Sequence, residues 1–358
     1  MIGSLALSVL LAAAQAQAPS RVPALRYRGT VSAMTGFAPV MAPVGASAQA
    51  ATLPAALPIL SISEVPRPGE SAVPAKAIPV EQTVTIAPDA AASPAANPLD
   101  RTASLLSGYQ QVREGTAQPL PEAAGRYRYL MARGFLWEDL PGYMQPYLVR
   151  LRELGLDVEL VDTDPAGTVE TNGAALAAAI AASPKPVILI GHSKGALDFL
   201  GALRDNPGLQ EKVAALLALQ SPYYGTPVSD HILWRAPLEE WQRRYARLFN
   251  QAYQSAPLFL RRPLEQISRR ERAEAPLTPP ALRPGLRVFS VVTSRPPHAS
   301  DGVVSPEQGV IPGAFYAALD GMDHVDTILG RRVAGAAGRD PASAGDFAES
   351  LVRWILRE

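Results

Sequence analysis

Two rhythms of apolar residues alternate along this chain from about residue 127 to its end. Short runs at 127–131, 156–161, 186–190, 213–219, 286–293 and 314–319, most of them rich in Val, Ile, Leu and Ala, read as strands. Between them lie segments with a helical repeat. In 143–154 the stripe is Tyr147, Leu148, Leu151 and Leu154; 169–182 is rich in Ala; 194–203 follows the third strand. Near the end, Ser343 has the chemistry of an N-cap and Asp346 that of a first-turn acid, which predicts a closing helix through Ile355. Apolar strands separated by helices predict an α/β fold, a mostly parallel sheet with helices on both faces.

The alternation breaks once. Between Tyr224 and Pro284 no strand pattern appears. Leu238, Trp241, Tyr245, Leu248 and Ala252 fall on one helical face, and a second helix, dense in Arg and Glu, is expected over 264–273. An insertion at about 228–284 is therefore expected to cover the active edge of the sheet as a lid. The plainer reading is a helical pair that only packs.

Ahead of residue 100 the pattern is different. Residues 5–14 form an apolar run too brief for the roughly 20 residues a membrane span needs. Ala14-Gln15-Ala16 and Ala16-Gln17-Ala18 offer small-x-small cleavage sites. Residues 1–18 thus read as an export signal, although no Lys or Arg precedes the apolar run. Secretion or a periplasmic location is expected; the alternative is a cytoplasmic protein with an Ala-rich leader. From 19 to 99 Pro recurs too often for helices and for most strands, so a disordered or extended tether without chemistry is expected. The compact domain is expected over 100–358.

Composition removes several function classes. The 358 residues carry 33 Lys and Arg against 33 Asp and Glu, so no net field favours nucleic acid or an anionic surface. There is no P-loop, no dinucleotide G-x-G-x-x-G and no zinc-ligand spacing. Cysteine is absent, which excludes disulfides and a thiolate nucleophile. No cofactor and no metal is expected.

The densest chemistry lies in Val187-Ile188-Leu189-Ile190-Gly191-His192-Ser193-Lys194-Gly195. A buried-strand run feeds G-x-S-x-G and a helix follows, the order a nucleophile elbow needs. Gly191 and Gly195 leave room for a turn too tight for side chains, and Ser193 stands at its apex beside a helix N-terminus.

A serine hydroxyl needs a base, and the base an orienting acid, in the chain order Ser, acid, His. Only four histidines are available. His192 adjoins the nucleophile and its side chain diverges; His231 sits just after a strand inside the insertion; His298 precedes every good acid. His324 follows the last strand and is assigned as base. Asp301, in Ser300-Asp301-Gly302 after the fifth strand, is assigned as acid. Asp320 is its rival but lies close to His324 in sequence, and Asp323 and Asp326 are read as loop caps. The oxyanion site takes the Lys194 amide and, from the Gly134 loop, the Phe135 amide. The Lys194 side chain is expected in solvent on the first helical turn, with the pocket mouth as the alternative.

These islands, together with Ser221-Pro222-Tyr223-Tyr224-Gly225-Thr226-Pro227 and Ser300-Asp301-Gly302-Val303-Val304, resemble the α/β-hydrolase superfamily, and within it the bacterial triacylglycerol lipases and esterases. The resemblance runs from about residue 127 onward. It implies the α/β-hydrolase fold with a helical lid, a Ser193–Asp301–His324 triad, acyl-ester substrates and lipid-interface contact through the lid. Arg133-Gly134 stands where the family usually has His-Gly. Asp326 matches one of two Asp that hold calcium in many such lipases; the second has no counterpart, so no bound calcium is expected. Two alternatives stay open: a binding protein on a hydrolase scaffold, and a thioesterase, polyester depolymerase or amidase of the same fold.

Overall fold

A computed structural model of the chain describes residues 99–274, 282–283, 285–330 and 339–358. Apart from Leu99, the export signal expected over 1–18 and the leader expected over 19–99 lie outside the described residues. Among the described residues six strands form one sheet: β1 (Arg128–Ala132), β2 (Asp157–Leu160), β3 (Val187–His192), β4 (Val213–Leu219), β5 (Arg287–Ser294) and β6 (Phe315–Asp320), in the spatial order β2-β1-β3-β4-β5-β6. Every pairing is parallel. Each expected strand is present, its ends moved by at most two residues.

The period of two along each strand divides the core. Leu130, Val187, Leu189, Leu216 and Ala218 belong to one apolar cluster. Their neighbours Tyr129, Met131, Ile188, Ile190, Ala215 and Leu217 belong to the other. Both sets are buried, which is why the runs read as apolar throughout.

The helices follow in chain order: α1 (Thr102–Arg113), α2 (Gln145–Glu153), α3 (Val169–Ala182), α4 (Lys194–Asp205), α5 (Pro227–Trp234), α6 (Glu240–Ser255), α7 (Pro257–Gln266), α8 (Arg269–Glu274), α9 (Pro306–Gly309), α10 (Asp326–Leu329) and α11 (Pro341–Arg357). Leu176, Ile180, Leu197 and Leu200 bring α3 and α4 onto one face of the sheet. Leu105, Tyr147, Leu151 and Trp354 bring α1, α2 and α11 onto the other. Among the described residues no helix is long and apolar enough to cross a membrane.

Three local expectations are corrected. The closing helix opens at Pro341, with Asp340 before it; Ser343 lies inside and bonds back to the Asp340 carbonyl at 2.7 Å. Proline is preorganised for the first helical position, and that signal outranks the serine. His231 lies within α5 rather than after a strand, and its Nδ1 donates to the Ala236 carbonyl at 2.6 Å. The helix expected over 264–273 is two: α7 ends at Gln266, and Ser268 Oγ accepts the Glu271 amide at 3.1 Å to start α8.

Strand order reverses at β1 and β3: β2 lies to one side of β1, and the later strands extend beyond β3. Crevices form outside the carboxyl ends of strands at such a switch point. The Gly134 loop follows β1 and Ser193 follows β3, so topology alone puts them side by side.

Candidate active site

Ser193 sits between the end of β3 and the start of α4 at φ 53° and ψ −126°. A non-glycine residue at positive φ costs on the order of 1–3 kcal/mol and persists only where its surroundings hold it. Here the Ser193 amide donates to the Leu219 carbonyl at 2.8 Å. A Cβ on Gly191 would lie 2.4 Å from Ala196 Cα, and one on Gly195 2.5 Å from the Ala132 and Arg133 carbonyl oxygens. Both glycines are therefore required by close backbone approach.

The structure brings Ser193, His324 and Asp301 into one hydrogen-bonded chain. Ser193 Oγ lies 3.0 Å from His324 Nε2, and His324 Nδ1 lies 2.9 Å from Asp301 Oδ2. A carboxylate can only accept, so Nδ1 carries the proton and Nε2 offers its lone pair to the serine hydroxyl. The bases of the two loops are also joined: the His324 amide donates to the Asp301 carbonyl at 3.0 Å. Asp301 is fully buried. Its Oδ1 accepts the Val303 and Val304 amides at 2.9 and 2.8 Å, and its Oδ2 also accepts Gln220 Nε2 at 3.1 Å and Thr293 Oγ at 3.3 Å. A buried carboxylate needs such a set of donors.

The rival acids are engaged elsewhere. Asp320 accepts Ser294 Oγ at 2.5 Å. Asp323 accepts the Val325 amide at 3.1 Å, and Asp326 accepts the Asp323 amide at 2.9 Å while pairing with Arg339. His298 stacks on Trp241 with ring centroids 5.4 Å apart. Among the described residues no cluster of three or more His, Asp or Glu is arranged to hold a metal ion.

The two amides expected to form the oxyanion site belong to residues next to the serine and next to Gly134 in the chain. A Cβ on Gly134 would lie 2.8 Å from Ser193 Cβ, so only glycine lets this loop come so near. The Phe135 amide that follows has no acceptor among the described residues. Lys194 opens α4, where the first backbone N–H groups have no intrahelical partner and the helix dipole favours negative charge.

The chain matches no known family model and no curated protein. Solved structures do match. The metagenomic carboxyl esterase MGS0156 superposes with a TM-score of 0.52 at 19% identity, covering 68% of this chain and 80% of that one. This is the α/β-hydrolase fold. The Bacillus licheniformis lipase BlEst2 in mature form gives a TM-score of 0.44 at 18% identity over 60% of this chain and 91% of its own. Phospholipase PlaB from Legionella pneumophila gives 0.41 at 15% identity over 65% and 63%.

On this hydrolase fold the Lys194 side chain departs from expectation. It is 1% exposed rather than solvated. Its Nζ donates to Asp198 Oδ1 at 2.6 Å, and Asp198 Oδ2 accepts Asn172 Nδ2 from α3 at 2.9 Å. Burial is the largest influence on Asp198 and pushes its carboxyl up to about 6, against the pull of Lys194. The Lys194 side chain is thus part of the core.

Gln220, Thr293 and Tyr143 were not singled out by the sequence reading, and all three are buried around the triad. Gln220, at φ 49°, donates to Asp301 and to the Asp323 carbonyl. The available signal was positional: a polar residue directly after the apolar run of β4 lies at the edge where ligands bind.

Proposed function

We propose that this protein is a serine hydrolase of carboxylic esters with apolar acyl chains. The observation that carries the reading is the Ser193–His324–Asp301 chain opening into a cleft of about 960 Å³. The cleft straddles the two apolar layers. On the insertion side Phe135, Val228, Phe249, Leu264, Ile267 and Val303 line it together with Thr226, Ser229 and Tyr245, so the wall is mostly apolar and uncharged. On the α2 side Leu140, Val149 and Leu329 are joined by the charged Arg150, Glu153 and Asp346.

In the proposed reaction Ser193 Oγ attacks the ester carbonyl while His324 Nε2 takes its proton. Asp301 holds the imidazole and stabilises its charged form. The Phe135 and Lys194 amides receive the developing oxyanion. The tetrahedral adduct collapses, the C–O bond breaks, and His324 returns its proton to the departing alcohol. Water, deprotonated by His324, then cleaves acyl-Ser193 to the acid and regenerates the hydroxyl. In this reading the mostly apolar insertion side takes the acyl chain, and the side that carries Arg150, Glu153 and Asp346 takes the alcohol.

Hydrolysis of a graded panel of acyl esters tests this. Longer apolar chains are expected to react with higher kcat/KM than acetate. Leu264→Trp, which fills the insertion-side arm, is expected to lower kcat/KM for a long chain by about tenfold or more, the scale of displacing one or two methylenes, and to leave the acetate ester within about threefold. Equal losses for both would contradict the assignment of that arm.

Contact with a lipid surface through the insertion belongs to the same reading, as does export through residues 1–18. Leu258 and Phe259 are 90% and 70% exposed on α7, the helix whose Leu264 lines the cleft. Scattered exposed apolar residues are ordinary; two adjacent ones on a helix that also lines the cleft fit a lipid-facing edge. Leu258→Ser with Phe259→Ser is expected to reduce co-sedimentation with phospholipid vesicles by about tenfold or more, since each side chain contributes roughly 1.5–3 kcal/mol when buried. Unchanged binding would remove the idea.

A further inference from the structure

His192, beside the nucleophile in sequence, is fully buried and does not line the cleft. Its Nε2 faces two oxygens, the His324 carbonyl at 2.9 Å and Gln220 Oε1 at 3.2 Å. The identity of the Gln220 oxygen is fixed by the other end of that amide, which faces Asp301 Oδ2 and the Asp323 carbonyl, both acceptors. His192 Nε2 therefore carries a proton, and its Nδ1 offers a lone pair. Tyr143 Oη lies 2.5 Å from that Nδ1 and donates to it. The same phenol oxygen accepts the Gly134 amide at 3.0 Å. Burial, and then the neighbouring His324, hold the His192 imidazole well below its ordinary pKa, which keeps it in the neutral form this pattern requires.

We propose that Tyr143 and His192 are positioning residues that tie the oxyanion loop to the base loop. Three hydrogen bonds in series run from Gly134 N–H to Tyr143, from Tyr143 to His192 and from His192 to the His324 carbonyl. One end holds the loop that presents the Phe135 amide. The other holds the backbone from which the His324 ring reaches Ser193. His192 does not line the cleft; Tyr143 does, but its hydroxyl is engaged by the Gly134 amide and His192 Nδ1. It fixes the separation between the group that takes the proton and a group that receives the oxyanion, a distance in which an error of about 1 Å is costly.

The inference rests on the serine-hydrolase reading and adds a requirement to it. Tyr143→Phe keeps the ring, which packs edge-on against His192 at 5.4 Å between centroids, and removes only the hydroxyl. The Gly134 amide and His192 Nδ1 then lose their partner. Tyr143→Phe is expected to lower kcat for an acyl ester by about 10- to 100-fold, with KM within about threefold, a loss below that of deleting an oxyanion donor outright. The second-order rate of inactivation by a fluorophosphonate should fall by a similar factor. His192→Gln, which keeps an amide N–H for the His324 carbonyl, should retain more kcat than His192→Ala. Wild-type kcat in Tyr143→Phe, or equal kcat in the two His192 variants, would overturn the relay. Should Tyr143→Phe not fold, the His192 pair decides. If the wild-type protein neither turns over an ester nor reacts with the fluorophosphonate, the hydrolase reading itself fails, a different result from an active wild type with an indifferent Tyr143.

Discussion

Ser193→Ala is expected to lower kcat toward acyl esters by about 10⁴-fold or more. In the proposed mechanism the hydroxyl supplies the bond-forming oxygen, and neither His324 nor the two amides can replace it. Some acceleration over water remains, because the oxyanion donors and the cleft still act; residual catalysis of this origin is on the order of 10³–10⁴-fold in other serine enzymes. Folding should hardly change. Ser193 Oγ makes a hydrogen bond to His324 at the rim of the cleft and carries no core packing. Alanine occupies the same positive φ at similar cost. Activity assayed beside thermal melting checks both halves. A variant that keeps a tenth of wild-type kcat would contradict the role given to this hydroxyl.

The largest stability effect is expected one helical turn away. Lys194 and Asp198 form an ion pair at 2.6 Å with side chains 2% and 1% exposed. At pH 7 to 8, Asp198→Ala leaves a buried ammonium without a counter-charge, which costs roughly 3–5 kcal/mol. For a domain of this size that is a fall in Tm of roughly 6–20 °C. Lys194→Met together with Asp198→Leu should be much milder than Asp198→Ala alone, because removing both charges also removes their desolvation. The same pair predicts a pH trend. The folded-state value of Asp198 is about 6, above its ordinary 3.8. The native chain therefore binds more protons than the unfolded chain between those values. This group's contribution is fully present below about 4 and is lost as pH rises through about 6. Melting of the wild type against Asp198→Asn across that interval measures it; a wild type that gains on the variant as pH rises would reverse the sign.

Lys194 also shows where the sequence was misread. Lysine usually keeps to solvent, and on a first helical turn its side chain is expected there. Yet the residues that follow it on α4, Ala196, Leu197, Phe199, Leu200 and Leu203, are all buried. A helix apolar all round belongs inside a protein, and that pattern outweighs the preference of a single Lys. The strands were legible because both faces of the sheet are covered, so Val213–Leu219 reads as unbroken apolar residues. The elbow was legible because close approach at Gly191 and Gly195 admits no other residue type. Asp301 and His324 followed from chain order and from lying after β5 and β6. Tyr143, Gln220 and Thr293 carry no such mark. They meet through loops and strand ends far apart in sequence, where neither period nor spacing applies. Gln220 bonds across 73, 81 and 103 positions of the chain.

The most direct test of the account is covalent labelling by a fluorophosphonate, followed by mass spectrometry of the labelled peptide. One phosphonyl group per chain is expected, bound to Ser193, with the rate falling sharply in His324→Ala and in Asp301→Asn. A folded wild-type protein that takes no label, or takes it on another residue, would contradict the proposal that Ser193 is the nucleophile.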